Sequence, residues 1–524
     1  MGAGLMAGTT QPDVLVMDEP EYRDRLAPEP VRDRLARRLP ADPYSWLATG
    51  VVVFVAAVLR FVGISHPRGK VFDEVYYATE GAELFQHGVE WRPESNTGDY
   101  VVHPPLGKWL IGLGEWVLGQ NETGWRISAA VAGVLSILIV TRIARRLFQS
   151  TVLGCAAGLL MALDGMHFVL SRSALLDIFL MLFVVAAFGC LVMDRDQRRR
   201  RWLRALDDGL DVNRSGPAGR PKLGVPGWRL AAGVMIGCGG AVKWSAIWYI
   251  PAFLLLMYLW EVGTRRAAGV PHPWRDAVLD ETGWAAAFLG LAVGTYLLSW
   301  TGWFVTDTGW DRHYLASHGK PEPPVVGALW NLWHYHQSAW DFHITLTQKH
   351  AYQSWPWQWL LLGRPVAFYW SGDGPCGDPQ CASEVLLLGT PLLWWSFLPA
   401  LAALAWFGVT RRDWRAGAIG LCAAAGIVPW FWNELDNRTM FYFYALPAEP
   451  FLVLAVVYVL GAIIGSPATG RGPAADRRLI GSVVAGVYVM LVAVCFYYFY
   501  PIYTAKVITY AQWWARMFLG SRWV

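Results

Sequence analysis

The sequence predicts an all-α polytopic membrane protein, and three observations carry this prediction. Of the 524 residues, 55% are hydrophobic. Charged residues make up only 16%, whereas roughly 25% is usual in soluble domains. Apolar runs of about twenty residues, the length that crosses a bilayer core, recur along the chain. The net charge of +4 says little by itself, since the distribution of Lys and Arg carries the information in such proteins, and we expect no nucleic-acid partner.

Eleven apolar segments are predicted to cross the membrane as helices. They are residues 46–65, 125–147, 151–170, 173–193, 229–247, 248–261, 284–303, 391–409, 416–432, 441–464 and 479–500.

The basic residues orient these helices, because cytoplasmic loops carry the excess of Lys and Arg. With a cytoplasmic N-terminus, the cytoplasmic segments contain "RIARR", "DRDQRRRRWLRALDDG", "TRRAAG", "TRRDWR" and "RGPAADRR". The outer segments are 66–124, 304–390, 433–440 and the residues after 500, which are poorer in basic residues for their length. An odd number of spans then places the C-terminus on the extracytoplasmic side.

Four regions follow from this topology. Residues 1–45 are polar and charged and lack the apolar core of a cleavable signal peptide, so we expect a flexible cytoplasmic tail. Residues 46–303 form an N-terminal transmembrane module that includes the first outer loop, 66–124. The second outer loop is 304–390, and a C-terminal transmembrane module follows at 391–524.

The first outer loop begins with two adjacent carboxylates, Asp73 and Glu74. The stretch "DEVYYATEGAELFQHGV" predicts a helix lying along the membrane surface. Its apolar face comprises Val75, Ala78, Ala82, Phe85 and Val89. In "HPPLGK", two prolines fix φ and remove two backbone donors, which predicts a stiff return to the membrane. His103 in this turn either contacts substrate or makes a local hydrogen bond.

The second outer loop is rich in Trp and His, as in "NLWHYHQSAWDFHITLTQKHAYQSWPWQW". Aromatic belts at the membrane interface explain about half of these tryptophans. Cys376 and Cys381, in "CGDPQC", are predicted to form a small disulfide, which an extracytoplasmic compartment permits, with two free thiols as the alternative. No Cys or His spacing typical of metal ligands stands out.

Ionisable residues lie at the outer ends of several predicted spans. They are Arg60, Arg126, Arg172, Asp177 and Lys243. Interfacial Arg and Lys often reach to lipid headgroups. Several cations on the same side as a carboxylate pair nevertheless indicate an outer pocket that binds an anion beside a base.

The chemistry of such a pocket suits a lipid phosphate donor and a hydroxyl acceptor. Arg and Lys bind a phosphate whose lipid tail stays in the membrane. A nearby carboxylate accepts the proton of a hydroxyl nucleophile. Two alternatives stay open for Asp73 and Glu74: solvated loop carboxylates, and ligands for Mg²⁺ or Mn²⁺.

The motifs "FDEVYYA", "HPPLGKWLI", "GWRISAA", "SRSALLDIF", "AVKWSAIW" and "WWARMFLG" resemble, in matching order, those of the protein O-mannosyltransferases. The resemblance covers the chain from about Arg60 to the end. It implies the GT-C architecture with eleven transmembrane helices. It also implies inverting transfer of mannose from polyprenyl-phosphate mannose to Ser or Thr hydroxyls, with the lipid-linked sugar as a substrate.

Site residues are carried over from this family position by position. Asp73 matches the catalytic base and Glu74 its partner in acceptor binding. Arg126, Arg60 and Lys243 match positions that imply donor phosphate binding. Supporting roles are assigned to His103, Arg172, Asp177 and His350. Dependence on Mg²⁺ or Mn²⁺ is left open.

The chain departs from eukaryotic members, which insert a β-trefoil domain in the large outer loop, because residues 305–390 are too short to hold one. It therefore resembles the bacterial branch, which implies exported protein acceptors at the plasma membrane, with the export machinery and membrane lipids as further partners. One alternative keeps the fold and transfers a lipid-linked sugar to a glycan or glycolipid. A transporter is the other, although no inverted repeat is evident.

Overall fold

A computed structural model describes Leu35 and residues 41–213, 220–465 and 473–524. The predicted flexible tail, 1–45, lies largely outside the described residues. Leu35 is described, and it is buried against Trp202 and Ala268 at the predicted cytoplasmic side.

The described chain is mostly helical. In chain order its α-helices are α1 (Ser45–Phe61), α2 (Glu74–His87), α3 (Leu106–Leu118), α4 (Glu122–Phe148), α5 (Thr151–Ala162), α6 (Gly165–Leu170), α7 (Asp177–Asp207), α8 (Gly227–Val242), α9 (Tyr249–Ala268), α10 (Pro273–Ser299), α11 (Thr301–Val305), α12 (Tyr314–Ser317), α13 (Val326–Thr345), α14 (Pro356–Trp359), α15 (Pro391–Arg411), α16 (Trp414–Ile427), α17 (Trp430–Leu435), α18 (Glu449–Ile464), α19 (Pro473–Tyr503) and α20 (Tyr510–Trp514). Short 3₁₀ helices occupy Trp244–Trp248, Tyr442–Ala448 and Gly520–Trp523.

Eight helical segments of the described chain are long and apolar enough to cross a membrane. They are Glu122–Phe148, Asp177–Asp207, Trp244–Ala268, Pro273–Ser299, Pro391–Arg411, Trp414–Leu435, Tyr442–Ile464 and Ala475–Tyr503. Two shorter apolar helices, Ser45–Phe61 and Thr151–Ala162, accompany them. The protein is therefore a multi-pass membrane protein, while the count of eleven spans and their orientation stay predictions.

The predicted span 151–170 is divided into two helices, α5 and α6. Asp164 ends the first and caps the second, because its carboxylate accepts the backbone N–H of His167 at 3.0 Å. The same carboxylate accepts the Thr390 N–H at 3.0 Å and the Trp394 Nε1–H at 2.7 Å. The side chain that breaks this helix therefore binds it to the start of α15.

Helices α7 and α8 run antiparallel and are tied together by ion pairs at both ends. At one end Lys243, which follows α8, binds Asp177 at 2.9 Å. At the other, Arg229 binds Asp194 at 2.8 Å. These two acids are separated by about 26 Å along α7 at 1.5 Å per residue. A buried network at the second end also includes Arg198, Glu261, Arg265 and Glu281. The Asp177 end of α7 and the Lys243 end of α8 are thereby fixed.

In the first outer loop, α2 packs against α3 through two glycines. A Cβ at Gly112 would lie 2.2 Å from the carbonyl oxygen of Gly81, so no larger residue fits at this crossing. The predicted helix is confirmed. On its predicted apolar face Ala78 is buried, whereas Val75 is 47% exposed and Phe85 37% exposed, and the glycine side of α2 faces α3. The position of this face along the membrane surface stays a prediction.

Two small antiparallel sheets lie in the outer loops, where the sequence predicted only helix and loop. The first pairs β1 (Trp91–Arg92) with β2 (Thr97–Gly98). The second has the order β3 (Val366–Ser371), β4 (Cys381–Leu387), β5 (Ile508–Thr509). The aromatic residues of "VAFYWS" in β3 suit a strand as well as an interfacial belt, which explains why the strand was missed.

Candidate active site

Asp73 lies in a tight turn at the N-terminal end of α2. The backbone N–H of Glu74 donates to the Val71 carbonyl at 3.0 Å. In return the Val71 N–H donates to Glu74 Oε2 at 2.9 Å. The turn is thus closed twice, and Asp73 is one of its two central residues.

The Asp73 carboxylate accepts no hydrogen bond from any residue that the structure describes. Burial, opposed by Lys243 and helped by Asp177 and Glu80, raises the pKa of this carboxyl to about 6. A carboxylate with such a pKa is ionised at neutral pH and still basic enough to accept a proton in a reaction. Asp73 therefore has the properties of a general base.

Glu74 is fully buried and forms a bidentate pair with Arg126. Arg126 Nε donates to Oε1 and Arg126 Nη2 to Oε2, both at 2.8 Å. Further donors to Glu74 are the Ala174 N–H, the Val71 N–H and the Trp125 indole. The remaining Arg126 donors bind the carbonyls of Ile64, Pro67 and Gly69. All five N–H donors of Arg126 and both carboxylate oxygens of Glu74 are hydrogen-bonded to the protein. The pair therefore holds the loop before α2 in place and leaves no donor free for a ligand.

Arg60 and Arg172 are buried at the ends of helices. Arg60 Nη1 donates to the carbonyl of Ala162, the last residue of α5, at 3.1 Å, and Nη2 contacts His167 Nδ1 at 2.8 Å. Arg172 donates to the carbonyls of Arg60 at 2.9 Å, Val62 at 2.7 Å and Gly63 at 2.6 Å. Cations favour helix C-terminal carbonyls. Arg60 therefore ties α1 to the end of α5, and Arg172 caps the C-terminal end of α1.

Lys243 and Asp177 join the outer ends of α8 and α7 beside Asp73. The Lys243 ammonium lies 2.9 and 3.0 Å from the two oxygens of Asp177. It also lies 4.7 Å from the ring centre of Tyr444 and 5.6 Å from that of Phe443. The Lys243 ammonium is therefore held in place at the site by Asp177 and two aromatic rings.

Arg438 is a second cation at this site, and the sequence analysis missed it. Its Nε donates to the His343 carbonyl at 2.8 Å, and its Nη2 lies 3.4 Å from His343 Nδ1. In the sequence, Arg438 lies in the short predicted outer segment 433–440, one of the segments that are poorer in basic residues for their length.

His103 and His343 face each other, with ring centres 5.2 Å apart. Burial lowers the pKa of His103 well below its usual value, and Lys243 adds to the effect. Burial and Arg438 lower the pKa of His343 to about 4. Both imidazoles are therefore neutral at pH 7, and the positive charge here belongs to Lys243 and Arg438.

Three other predicted residues lie outside this group. His350 is exposed in the second outer loop, where it contacts the Phe441 ring. Cys376 and Cys381 are joined in a disulfide at the tip of the β3–β4 hairpin.

An apolar groove of about 860 Å³ opens beside the candidate site. Its walls come from α8, α9, α10 and α13, and its lining includes Gly237, Trp244, Ala292, Tyr296, Trp333 and Trp340. Trp244 follows Lys243 directly, and its ring centre lies 5.7 Å from that of His343. Trp244 therefore links the groove to Lys243 and His343 of the site.

The described residues contain no group of three or more His, Cys, Asp and Glu side chains placed to hold a metal ion. Asp73 and Glu74 do not form a shared ligand pair, because Glu74 turns inward to Arg126.

Comparison with known proteins identifies the family. Residues 102–206 match the model described as dolichyl-phosphate-mannose-protein mannosyltransferase. Residues 328–523 match the C-terminal four-transmembrane region of protein O-mannosyltransferase. A polyprenol-phosphate-mannose–protein mannosyltransferase of Mycolicibacterium smegmatis (strain MKD8) is 40% identical over 490 residues, which cover 91% of this chain and 92% of that protein. The chain belongs to the protein O-mannosyltransferase family.

Further similarities agree with this membership. The Mycobacterium tuberculosis (strain ATCC 25618 / H37Rv) polyprenol-phosphate-mannose–protein mannosyltransferase is 37% identical over 491 residues, 91% of each chain. The Saccharomyces cerevisiae protein O-mannosyltransferase Pmt1–Pmt2 complex bound to the sugar donor has a TM-score of 0.67 at 14% identity, with 91% of this chain and 92% of that chain covered. This likeness confirms the predicted GT-C fold class of the family.

Proposed function

We propose that this protein O-mannosyltransferase transfers mannose from polyprenyl-phosphate mannose to Ser or Thr hydroxyls of exported proteins. The observation that carries the proposal is Asp73, a carboxylate that no described residue engages in a hydrogen bond, beside Lys243, whose chain neighbour Trp244 lines the apolar groove. The M. smegmatis and M. tuberculosis relatives bear the name of this activity.

The donor lies with its polyprenyl chain in the groove and its phosphate at the site. Lys243 and Arg438 supply the positive charge for the phosphate, and the neutral His103 and His343 line the space between them. Cationic groups and phosphate form strong charge-assisted hydrogen bonds. This assignment moves phosphate binding away from Arg126, whose donors are all occupied by protein, and from Arg60, which is fully buried against Ala162 and His167.

The reaction is a single displacement at the anomeric carbon of mannose. Asp73 takes the proton of the acceptor hydroxyl as its oxygen forms the new bond to that carbon. The bond from the carbon to the phosphate oxygen breaks, and its electron pair leaves with the lipid phosphate. Lys243 and Arg438 stabilise the charge that develops there. Attack opposite the phosphate inverts the configuration, as the family resemblance implies.

The proposed site of action is the outer face of the bacterial plasma membrane. Helix α13 suits a position at the membrane interface, because one of its faces exposes apolar residues. They are Val326, Leu329, Trp330, Trp333, Trp340 and Ile344. Acceptors are then proteins that cross the membrane, delivered by the export machinery.

The test uses isolated membranes, radiolabelled polyprenyl-phosphate mannose and two classes of acceptor. A Thr- and Pro-rich peptide is expected to become labelled, and the same peptide with each Ser and Thr replaced by Ala is not. Label that enters glycan or glycolipid acceptors instead would assign a different transferase activity. Sugar uptake into sealed vesicles without covalent transfer would favour a transporter.

The pH dependence of transfer should report the ionisation of Asp73. Because the base acts when deprotonated, kcat/KM is expected to fall as the pH drops through about 6. Lys243 lowers this pKa, so Lys243→Gln should move the acid limb to higher pH, and Lys243→Arg should restore it in part. An acid limb near the ordinary Asp value of about 4 in the wild type would contradict the assignment.

Arg438→Gln should weaken binding of the donor phosphate. A charged hydrogen bond contributes about 1.5–3 kcal/mol, so kcat/KM for polyprenyl-phosphate mannose is expected to fall roughly 10- to 100-fold. Arg68→Gln is the matched control, because Arg68 lies in the first outer loop with its side chain 83% exposed. Equal activity of the two variants would remove Arg438 from the phosphate site.

A further inference from the structure

Phe72, the residue before Asp73, has a left-handed backbone conformation with φ of +47°. Aromatic residues rarely adopt positive φ, and such a conformation persists only where the surroundings enforce it. Phe72 is a central residue of the turn that Val71 and Glu74 close. The strained position therefore lies directly beside the proposed base.

The Phe72 ring is held by three other phenylalanines. It stacks on Phe368 with ring centres 4.6 Å apart and an interplanar angle of 6°. It meets the edges of Phe443 at 6.0 Å and Phe441 at 6.3 Å. We call these four residues the phenylalanine box. Stacked and edge-to-face pairs are the preferred aromatic geometries, so the box is a favourable arrangement.

The phenylalanine box connects three distant parts of the chain. Phe72 comes from the first outer loop and Phe368 from β3 of the second. Phe441 and Phe443 stack on each other at 5.4 Å at the start of the C-terminal segment that leads to α18. Phe443 also lies under the Lys243 ammonium at 5.6 Å. One aromatic cluster thus contacts both the turn of Asp73 and the cation that faces it.

The Asp73 carboxylate has no hydrogen-bond donor among the described residues to orient it. Its direction must therefore come from the backbone, and the backbone at this point is the turn that Phe72 forms. We infer that Phe72 is a positioning residue, whose ring, locked in the phenylalanine box, aims the Asp73 carboxylate at the acceptor hydroxyl. This inference rests on the proposed function, since it concerns the base of that reaction.

The test is Phe72→Leu, measured as kcat and donor KM on folded, purified protein. Leu keeps an apolar side chain but loses the aromatic stack. A small misplacement of a catalytic group costs on the order of 10²-fold, so we expect a fall of this size in kcat, with donor KM within about twofold. The acid limb of the pH profile should also move to lower pH, because a carboxylate that is free to turn reaches Lys243 or water. A purely structural residue would not shift that limb.

Phe368→Leu disturbs the same stack from the other side and leaves the catalytic loop unaltered. We expect the same loss of kcat, and a double variant no worse than either single one, because both changes remove one interaction. Phe85→Leu, an exposed aromatic on α2, is the control and should match the wild type.

Two results would overturn the inference. The first is wild-type kcat and an unshifted acid limb in folded Phe72→Leu, or in Phe368→Leu if the first variant fails to fold. The second is additive losses in the double variant. Failure of the proposed function is distinguishable, since the folded wild type would then transfer no mannose at all.

Discussion

Asp73→Asn should abolish mannose transfer while leaving the folded protein intact. General-base catalysis contributes about 10²- to 10⁴-fold, and the amide cannot accept the proton of the acceptor hydroxyl. Folding should be unaffected, because no described residue depends on the Asp73 carboxylate for a hydrogen bond. The measurement is kcat on purified protein, with the yield and the thermal unfolding temperature in detergent recorded alongside.

Glu94→Gln is the matched control for that substitution, because Glu94 is an exposed carboxylate in the same outer loop. It should retain wild-type kcat. Asp73→Asn protein that folds and transfers mannose at the wild-type rate would eliminate Asp73 as the base.

Glu74→Gln should have the opposite effect, with loss of folded protein rather than loss of turnover. The change leaves Arg126 buried without its charged partner. Breaking a buried pair costs about 3–5 kcal/mol. The thermal unfolding temperature and yield should fall clearly, while the acceptor KM of the remaining folded molecules stays near that of the wild type.

The comparison with Asp73→Asn is informative because the same chemical change is made at adjacent positions. One substitution removes a carboxylate from the reaction space, and the other removes a carboxylate that closes a turn. A folded Glu74→Gln enzyme with normal stability and a raised acceptor KM would instead support the acceptor-binding role that the family resemblance implies for Glu74.

The transmembrane part of the fold is readily predicted from the sequence, because a bilayer demands long apolar helices. Each of the eleven predicted segments falls on helix in the structure. The break at Asp164 escapes prediction: its carboxylate caps α6 through the His167 N–H and is also held by the Thr390 N–H, more than two hundred residues later, which the sequence does not show.

The site is predicted in part. The sequence brings Asp73 and Lys243 to the same side of the membrane, and the structure places them together. Burial and ion pairing are not visible in the sequence. The sequence therefore does not distinguish Arg126, which is paired with Glu74, from an arginine that is free to bind phosphate. Arg438 and the phenylalanine box were missed because their partners come from separate outer segments that meet only in the folded chain.

The proposed reaction is a single displacement on a mannosyl phosphate, driven by one carboxylate base, Asp73. The most direct measurement incubates purified wild-type protein with β-linked polyprenyl-phosphate mannose and a Thr-containing peptide, and determines the anomeric configuration of the product by NMR. A single displacement is expected to yield α-mannosyl threonine. A β-linked product, or a folded enzyme that leaves the peptide unmodified, would contradict it.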